Sequence, residues 1–293
     1  MLSNLAVRKT PTNTETHKKM TYGICNLSAI ALRKEARHGS EMVSQLLYNE
    51  PYTILDKTKE WVLIQTDLDR YQGWIQAKQL MEISDEEHKE LKNKKTYLTN
   101  KPIVEYKGLL LSMGTPLHEP LEGIDTLVLP SMSCRPTKEG AYLWTEGLGM
   151  TSLQDNPDVT EMPAQFQPEL LVDYAKKLLG APYLWGGRSV MGIDCSGLVQ
   201  VCARLSGKVL PRDASQQVQE GEFVYFLQET QPGDLAFFGE EDGHITHVGI
   251  VMGNEQIIHA SGQVRIDYLD QTGIFNKERN EHTHRLQVIK RLN

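Results

Sequence analysis

The sequence has no run of about 20 consecutive apolar residues, the length that a membrane-spanning helix needs. Its first twenty residues, MLSNLAVRKTPTNTETHKKM, also lack the apolar core of roughly 7–15 residues that is typical of a secretory signal. We therefore predict no membrane span. Two locations stay open: the protein is cytoplasmic, or it is exported and its leader has been removed.

Basic runs are also missing from the sequence. The net charge is −7, and Lys and Arg do not cluster along the chain. A nucleic-acid-binding protein needs a basic patch, and so does a protein tethered by its charge to an anionic membrane or wall. The composition therefore disfavours these partners and favours a small soluble substrate. We expect a monomer.

Cysteine is scarce, with four residues in 293. Their spacing contains no CxxC pair and no arrangement typical of a zinc site, so we predict no metal site. Cys25, Cys134 and Cys202 are predicted to be small buried hydrophobic residues, which is the usual state of a free cysteine. Cys195 needs a separate argument because of the residues around it.

The first half of the chain has the pattern of short strands. Residues 1–20 are read as an N-terminal extension, and residues 21–90 as a small all-β barrel. The evidence for the barrel is a series of short runs rich in β-branched and aromatic residues: YTIL (52–55), WVLIQT (61–66) and GWIQ (73–76). The polar stretch SDEEHKELKNKK (84–95) is predicted to be a solvated helix or a linker.

Residues 91–165 are predicted to form a second β region followed by a linker. The strand-like runs are LLLS, TLVLP and AYLW. The segment LQDNPDVTEMPAQFQPE (153–169) is typical of a linker because its prolines interrupt any helix.

Residues 166–293 have a different pattern, with helices first and strands afterwards, which indicates an α+β domain. Helices are expected at 168–179, where Pro168 suits the first turn, at 195–206, where Asp194 is a suitable N-cap, and near Asp213. The predicted strands are DLAFF (234–238), HVGIVMG (247–253), QIIHAS (256–261) and RLQVIKR (285–291).

Cys195 lies at the predicted start of a helix, in the string GIDCSGLVQ. Unpaired N–H groups and the positive end of the helix dipole favour a thiolate there, so we expect a lowered thiol pKa and a nucleophile. The small residues Ser196 and Gly197 leave room for a substrate carbonyl. The alternative, that Cys195 is a buried core residue like Cys202, stays open on the local string alone.

Two histidines, His247 and His259, lie on consecutive predicted strands joined by a Gly-Asn turn. If the connecting loop has three residues, both side chains project from one face of the hairpin. One imidazole can then take the thiol proton while the other orients it. His244 is a competing base in a Gly-flanked loop where it would be poorly held, and a Cys/His/His metal site would lack a fourth ligand.

A series of motifs gives the C-terminal region a specific resemblance. They are, in order, APYLWGG (181–187), DCSGLVQ (194–200), LPRDASQQ (210–217), QPGDLAFF (231–238), THVGIVMG (246–253) and IIHASG (257–262). In this order they resemble the NlpC family of papain-like cysteine peptidases. The resemblance implies a papain-like fold over residues 166–293, with Cys195 as nucleophile, His247 as base, His259 as third polar residue and Tyr183 aimed at the oxyanion. It implies no metal and no organic cofactor.

Residues 31–75 resemble a bacterial SH3-like domain, and residues 91–165 are read as a second one. An SH3-like domain followed by an NlpC domain resembles the γ-D-glutamyl-L-diamino-acid endopeptidases of the dipeptidyl-peptidase VI type. That resemblance implies a peptidase for peptidoglycan-derived peptides with a free N-terminal L-Ala, in cell-wall remodelling or recycling. An amidase or acyltransferase on the same scaffold, or a non-catalytic wall-binding module, are the alternatives. The identity of the diamino acid stays open.

Such a specificity needs carboxylates around the substrate's free ammonium group, since burying that charge unpaired costs several kcal/mol. The resemblance implies a set of substrate-binding residues: Asp194, Ser196, Asp213, Ser215, Tyr71, Glu41 and Trp185. Each has a plainer reading. Asp213 could be only an N-cap, Tyr71 a strand aromatic and Glu41 a surface charge, while Asp234 is expected only to shape a turn.

Overall fold

The computed structural model describes residues 20–118 and 157–293. The predicted extension before residue 20, the predicted strands TLVLP and AYLW, and Cys134 lie outside the described residues. The second SH3-like domain therefore stays a prediction, because only part of residues 91–165 is described.

The N-terminal region is one antiparallel sheet. Its strands are β1 (Thr21–Ile24), β2 (Ala29–Arg33), β3 (Met42–Leu47), β4 (Pro51–Lys57), β5 (Trp61–Thr66), β6 (Gln72–Gln76) and β7 (Glu82–Ile83), in the spatial order β3-β2-β6-β5-β4-β1-β7. Alternate residues such as Ile30, Leu32, Val62 and Ile64 are fully buried in its core, as the period of two in a strand requires. The all-β prediction for this region is confirmed.

A helix and two smaller sheets follow. Helix α1 (Asp85–Asn93) starts with a capping box between Ser84 and Glu87. The next strands are β8 (Thr96–Thr99), β9 (Ile103–Tyr106), β10 (Leu109–Ser112), β11 (Pro116–His118) and β12 (Val159–Glu161). They form the two sheets β10-β9 and β11-β8-β12. The linker prediction was wrong at β12, because its backbone pairs with β8 and Val159 is buried beside Tyr97.

The C-terminal region packs helices against a sheet. Its elements are α2 (Pro168–Lys177), β13 (Arg188–Ser189), β14 (Gly192–Ile193), α3 (Cys195–Leu205), α4 (Ala214–Gln217), β15 (Glu222–Val224), β16 (Leu235–Gly239), β17 (Ile245–Gly253), β18 (Gln256–Ser261), β19 (Gln263–Leu269), β20 (Gly273–Asn276) and β21 (Glu281–Arg291). The sheet has the order β15-β21-β16-β17-β18-β19-β20, and β20 also pairs with β21. The three predicted helices and the α+β class are confirmed, but the sequence prediction missed β13, β14, β15, β19 and β20.

The large sheet buries both of its faces. Val248, Ile250 and Ile258 belong to the core shared with α2 and α3, whereas Val251 and Ile257 belong to a second core on the other face. Because side chains alternate along a strand, His247 and His259 share the parity of Val251 and Ile257. The predicted common face of the two histidines is confirmed by this register.

Buried charges join the N-terminal sheet to the C-terminal region. Glu50 accepts hydrogen bonds from Arg188 at 2.9 and 3.0 Å and from Arg204 at 2.9 Å. Close backbone approach adds to this contact, since a Cβ at Gly186 (φ +77°) would lie 2.4 Å from the main-chain oxygen of Met42. These contacts hold β3 over the loop that precedes α3.

Candidate active site

Asp194 fixes the entry to α3 and so the position of Cys195. Its Oδ1 accepts from the Gly197 N–H at 2.7 Å, which makes it the N-cap that the sequence predicted. Its Oδ2 accepts from the Gly186 N–H at 2.8 Å and from the Arg212 guanidinium at 2.6 Å. The loop before the helix, the helix start and Arg212 are therefore tied to one carboxylate.

Cys195 is 7% exposed and lines a cavity of about 610 Å³. Burial raises the pKa of its thiol to about 12, and the Asp194 carboxylate acts in the same direction. The main-chain N–H groups of Val248 and Ser196 lower the pKa but do not outweigh burial. The expected lowering of the thiol pKa was therefore wrong, because desolvation exceeds the effect of the helix start.

The effect of Val248 on the thiol shows how Cys195 meets the histidines. Val248 follows His247 on β17, and its main-chain N–H acts on the sulfur at the start of α3. Packing of α3 against β17 thus brings Cys195 to the residue that follows His247, although the two segments are far apart in sequence.

His247, His259 and Asp267 form a continuous hydrogen-bonded series. The Nε2 atom of His247 lies 2.9 Å from Nδ1 of His259, and Nε2 of His259 lies 3.1 Å from Oδ2 of Asp267. All three residues are buried. Arg265 Nη2 donates to Oδ1 of the same carboxylate at 3.1 Å, and its Nε lies 2.8 Å from Oδ2 in an ion pair.

The hydrogen bond to Asp267 determines which ring nitrogens of His259 and His247 carry a proton. Burial opposes ionisation of Asp267, but the hydrogen bonds from His259 and Arg265 hold its pKa below the usual value. A carboxylate only accepts hydrogen bonds, so in the neutral rings Nε2 of His259 carries its proton and Nδ1 accepts. His247 then donates from Nε2 and keeps an unprotonated Nδ1.

His247 is neutral at physiological pH. Burial lowers its pKa well below the ordinary value, and His284 and His259 act in the same direction. The ring of His284 stacks on that of His247, with centroids 4.1 Å apart and planes 27° apart. A neutral imidazole with a free nitrogen can act as a general base.

Tyr183 lines the same cavity as Cys195. Burial raises the pKa of its phenol to about 12, with further contributions from Cys195 and Asp194. It is therefore an uncharged O–H group near the sulfur, able to donate a hydrogen bond.

The N-terminal sheet contributes part of the cavity wall. The Tyr71 hydroxyl donates to Asp213 Oδ2 at 3.2 Å, and the Trp185 indole donates to Glu41 Oε1 at 2.8 Å. The cavity contains every substrate-binding residue that the resemblance implied: Glu41, Tyr71, Trp185, Asp194, Ser196, Asp213 and Ser215. His247 and His259 are not among the residues that line it, while His244 is on its wall and exposed.

The structure also shows the simpler structural roles that the sequence predicted for several residues. Asp213 directly precedes α4 as well as accepting from Tyr71. Asp234 shapes a turn, as predicted, by accepting from the Gln231 N–H at 2.7 Å. Cys25 and Cys202 are buried, as predicted. Among residues 20–118 and 157–293, no three His, Cys, Asp or Glu side chains are grouped to hold a metal ion.

Sequence reasoning missed three residues of the site: Arg212, Asp267 and His284. Asp267 lies on β19, and the alternation of Val264 and Ile266 with Arg265 and Asp267 was a strand signal that could have located it. Arg212 stands inside the motif LPRDASQQ, but no local pattern indicates that it pairs with Asp194. His284 carries no local signal, because only the pairing of β21 with β16 and β20 brings it to His247.

Comparison with known proteins agrees with this geometry. Residues 180–283 match the NlpC/P60 family model, and residues 32–80 match the model of the bacterial dipeptidyl-peptidase Sh3 domain. The chain is similar to the gamma-D-glutamyl-L-lysine dipeptidyl-peptidase of Bacillus cereus, with 28% identity over 76% of this chain and 68% of that protein. It is 29% identical to the Bacillus subtilis protein of the same name, over 74% of this chain and 71% of that protein.

A solved structure shows the same fold over most of the molecule. It is an NlpC/P60 family protein from Bacillus cereus with a TM-score of 0.68 and 22% identity, and the match covers 92% of this chain and 99% of that one. The predicted resemblance is therefore confirmed: the chain carries an NlpC/P60 cysteine-peptidase domain preceded by a bacterial dipeptidyl-peptidase SH3 domain. In the described part of the chain, no helix is long and apolar enough to cross a membrane.

Proposed function

We propose that this chain, with its SH3 and NlpC/P60 domains, hydrolyses the γ-D-glutamyl-L-diamino-acid bond of peptidoglycan-derived peptides that have a free N-terminal L-Ala. One observation carries the proposal. The cavity that contains Cys195 is lined in part by Glu41 and Tyr71 from the SH3 domain. In the proposal, the free N-terminus of the substrate meets these SH3 residues, so the peptide chain ends inside the cavity.

The proposed reaction begins with transfer of the thiol proton. Nδ1 of His247 takes the proton from Sγ of Cys195, and the sulfur attacks the carbonyl carbon of the γ-linkage. The carbonyl oxygen becomes an oxyanion, which the Tyr183 hydroxyl and main-chain N–H groups at the start of α3 stabilise. The raised thiol pKa supports this order of events, since proton transfer must accompany or precede attack.

The second half of the reaction restores the enzyme. His247 gives its proton to the nitrogen of the diamino acid, the C–N bond breaks, and a thioester between Cys195 and the dipeptide remains. Water then attacks the thioester while His247 accepts a proton from it. The C–S bond breaks, the dipeptide leaves as a carboxylate, and the thiol regains its proton.

Binding of the substrate's N-terminus needs negative charge in the cavity. Asp213 and Glu41 supply two carboxylates in the cavity wall, and each accepts a hydrogen bond from an aromatic residue. Glu41 also forms an exposed ion pair with Lys34 at 3.4 Å, which a substrate ammonium group would replace. An ammonium group held by such carboxylates keeps its charge compensated as water is excluded. An N-acetylated peptide would add bulk and lose this pairing. The names of the Bacillus relatives support the same substrate class.

Mass spectrometry of products from defined peptides tests the proposal. L-Ala-γ-D-Glu-L-Lys should release the dipeptide L-Ala-D-Glu, and the same peptide with an N-acetylated Ala should stay intact. The Cys195→Ala variant should release nothing from either peptide but should still bind the free one. Equal cleavage of the free and acetylated peptides, or turnover by the Cys195→Ala variant, would refute the proposal.

A further inference from the structure

A second cavity of about 580 Å³ adjoins the one that contains Cys195. Thr246, the residue before His247, lines both cavities. The second cavity lies at the end of the large sheet, between the start of β21 and the loop that joins β16 to β17. It contains no residue of the SH3 domain.

The second cavity reaches the histidine that would protonate the leaving group. His284 lines it and stacks on the ring of His247. In the proposed reaction, the departing nitrogen takes its proton from His247. The part of the substrate that carries this nitrogen must therefore lie next to that ring, where Thr246 connects the two cavities.

The charges of the second cavity are of both signs. Glu240 and Glu241 lie on the loop after β16, and Arg285 lies on β21 across from them. Arg285 donates to Glu241 at 3.0 Å, but the two side chains are 57% and 92% exposed. Such an exposed pair is weak and can exchange its partners for the charges of a ligand.

We propose that this second cavity is the leaving-group subsite and that it selects a diamino acid. Its two carboxylates, Glu240 and Glu241, face the side-chain ammonium, and Arg285 faces the α-carboxylate. This inference rests on the proposed function and names the part of the substrate that the first cavity does not hold. An amino acid with one ammonium and one carboxylate matches the two charge types of the wall.

Four substrates that differ only in the leaving group test each contact. They are L-Ala-γ-D-Glu-L-Lys, its Nε-acetyl-Lys analogue, its Lys α-carboxamide analogue, and L-Ala-γ-D-Glu 7-amido-4-methylcoumarin, which has an uncharged leaving group. The proteins are the full chain, Glu240→Gln/Glu241→Gln, Arg285→Gln and the control Glu82→Gln. The control neutralises a carboxylate of the exposed Lys57–Glu82 pair in the SH3 domain.

The full chain should prefer L-Lys over each analogue by about fivefold in kcat/KM, the ratio that about 1 kcal/mol gives. Glu240→Gln/Glu241→Gln should lose the preference for a free ammonium and keep that for a free carboxylate. Arg285→Gln should show the opposite pattern. Glu82→Gln should match the full chain on all four substrates. The two subsite variants should still cleave the coumarin substrate, which shows that they fold.

The outcomes separate the two proposals. If the variants keep both preferences of the full chain, or if the full chain has neither preference, the subsite assignment is overturned while the proposed function stands. If the full chain cleaves none of the four substrates, the proposed function fails and the subsite assignment fails with it.

Discussion

The carboxylate of Asp267 influences Cys195 through two intervening imidazole rings. It sets the tautomer of His259, and His259 in turn sets the tautomer of His247. When His247 accepts the thiol proton, a positive charge appears in a buried place, where charge needs a partner. Asp267 supplies the nearest negative charge in the series, so it is a positioning residue that acts through His259.

Replacement of Asp267 by Asn should lower kcat by about 10- to 100-fold, because the tautomers of His259 and His247 are then no longer fixed. A positioned base contributes about 10²–10⁴-fold to the rate. KM should change little, since Asp267 does not line the Cys195 cavity. Steady-state kinetics on the tripeptide measure both constants.

Glu278→Gln is the matched control for Asp267. Glu278 pairs with the same Arg265 on its exposed side, so its loss should leave kcat within about twofold, as expected for an exposed ion pair. Similar losses in the two variants would mean that Arg265, rather than the charge of Asp267, governs the series.

The pH dependence of kcat/KM follows from the lowered pKa of His247. A base must be unprotonated to act, and a pKa below the ordinary histidine value keeps it unprotonated to lower pH. Activity should therefore persist below pH 6.5, with the acidic limb of kcat/KM below the ordinary histidine pKa. A limb centred above that value would contradict the assignment of a buried, neutral His247.

At the scale of elements, the hairpin of β17 and β18 sets the separation of the two histidines. Gly253 pairs with Gln256, so the loop is Asn254-Glu255, and the extra residue Met252 makes the pairing irregular. The loop is therefore one residue shorter than the three-residue loop that placed both histidines on one face. The unpaired Met252 takes the place of the third loop residue, so His247 and His259 still project from the same face of the hairpin.

Both residues of this loop have positive φ, 52° for Asn254 and 57° for Glu255. Asn tolerates this region, but the left-handed conformation costs Glu about 1 kcal/mol or more. Glu255→Gly should therefore raise the free energy of unfolding by about 0.5–1 kcal/mol, after the entropy cost of glycine is subtracted. Urea denaturation measures the change, and kcat should stay the same.

Glu278→Gly serves as the control for this effect, because Glu278 is not among the residues with positive φ. It should leave stability unchanged or lower it. A lower stability in both glycine variants would show that the hairpin turn is not strained.

At the scale of the whole molecule, the site exists only where two domains meet. Glu50 is fully buried between Arg188 and Arg204. Gln200 on α3 donates to Asp69 of the SH3 domain at 2.7 Å, and Arg212 donates to Ser44 at 3.1 Å. These polar contacts are specific in direction, so they fix how the SH3 domain covers the cavity.

Glu50→Gln should lower the free energy of unfolding by about 3–5 kcal/mol, because it leaves two buried guanidinium groups without a carboxylate. Glu82→Gln, in an exposed pair of the same domain, should cost less than about 1 kcal/mol. Urea denaturation compares the two variants. Equal losses would mean that the interface does not depend on the charge of Glu50.

Acid should weaken the same interface. Burial opposes ionisation of Glu50, but Arg188 and Arg204 outweigh it and lower its pKa. A lowered folded-state pKa gives stability that is present above the unfolded value of about 4.3 and is lost as pH falls through the folded value. The full chain should therefore lose this contribution only below about pH 4.3, whereas Glu50→Gln should lack it at every pH.

The amino-acid sequence determined the local elements and the identity of the chemistry. Pro168 and Asp194 mark helix starts, alternation marks β17 and β18, and the ordered motifs carry the resemblance to the peptidase family. These features are readable because each depends on neighbours within a few residues, through capping, periodicity and backbone preference.

Only the tertiary structure decided the partners and the electrostatics. Asp267, His284 and Arg212 join the site through strand pairing and helix packing between segments far apart in sequence, which no local pattern encodes. The direction of the Cys195 pKa shift was likewise settled by burial, because desolvation depends on everything packed around the sulfur and not on the helix start alone.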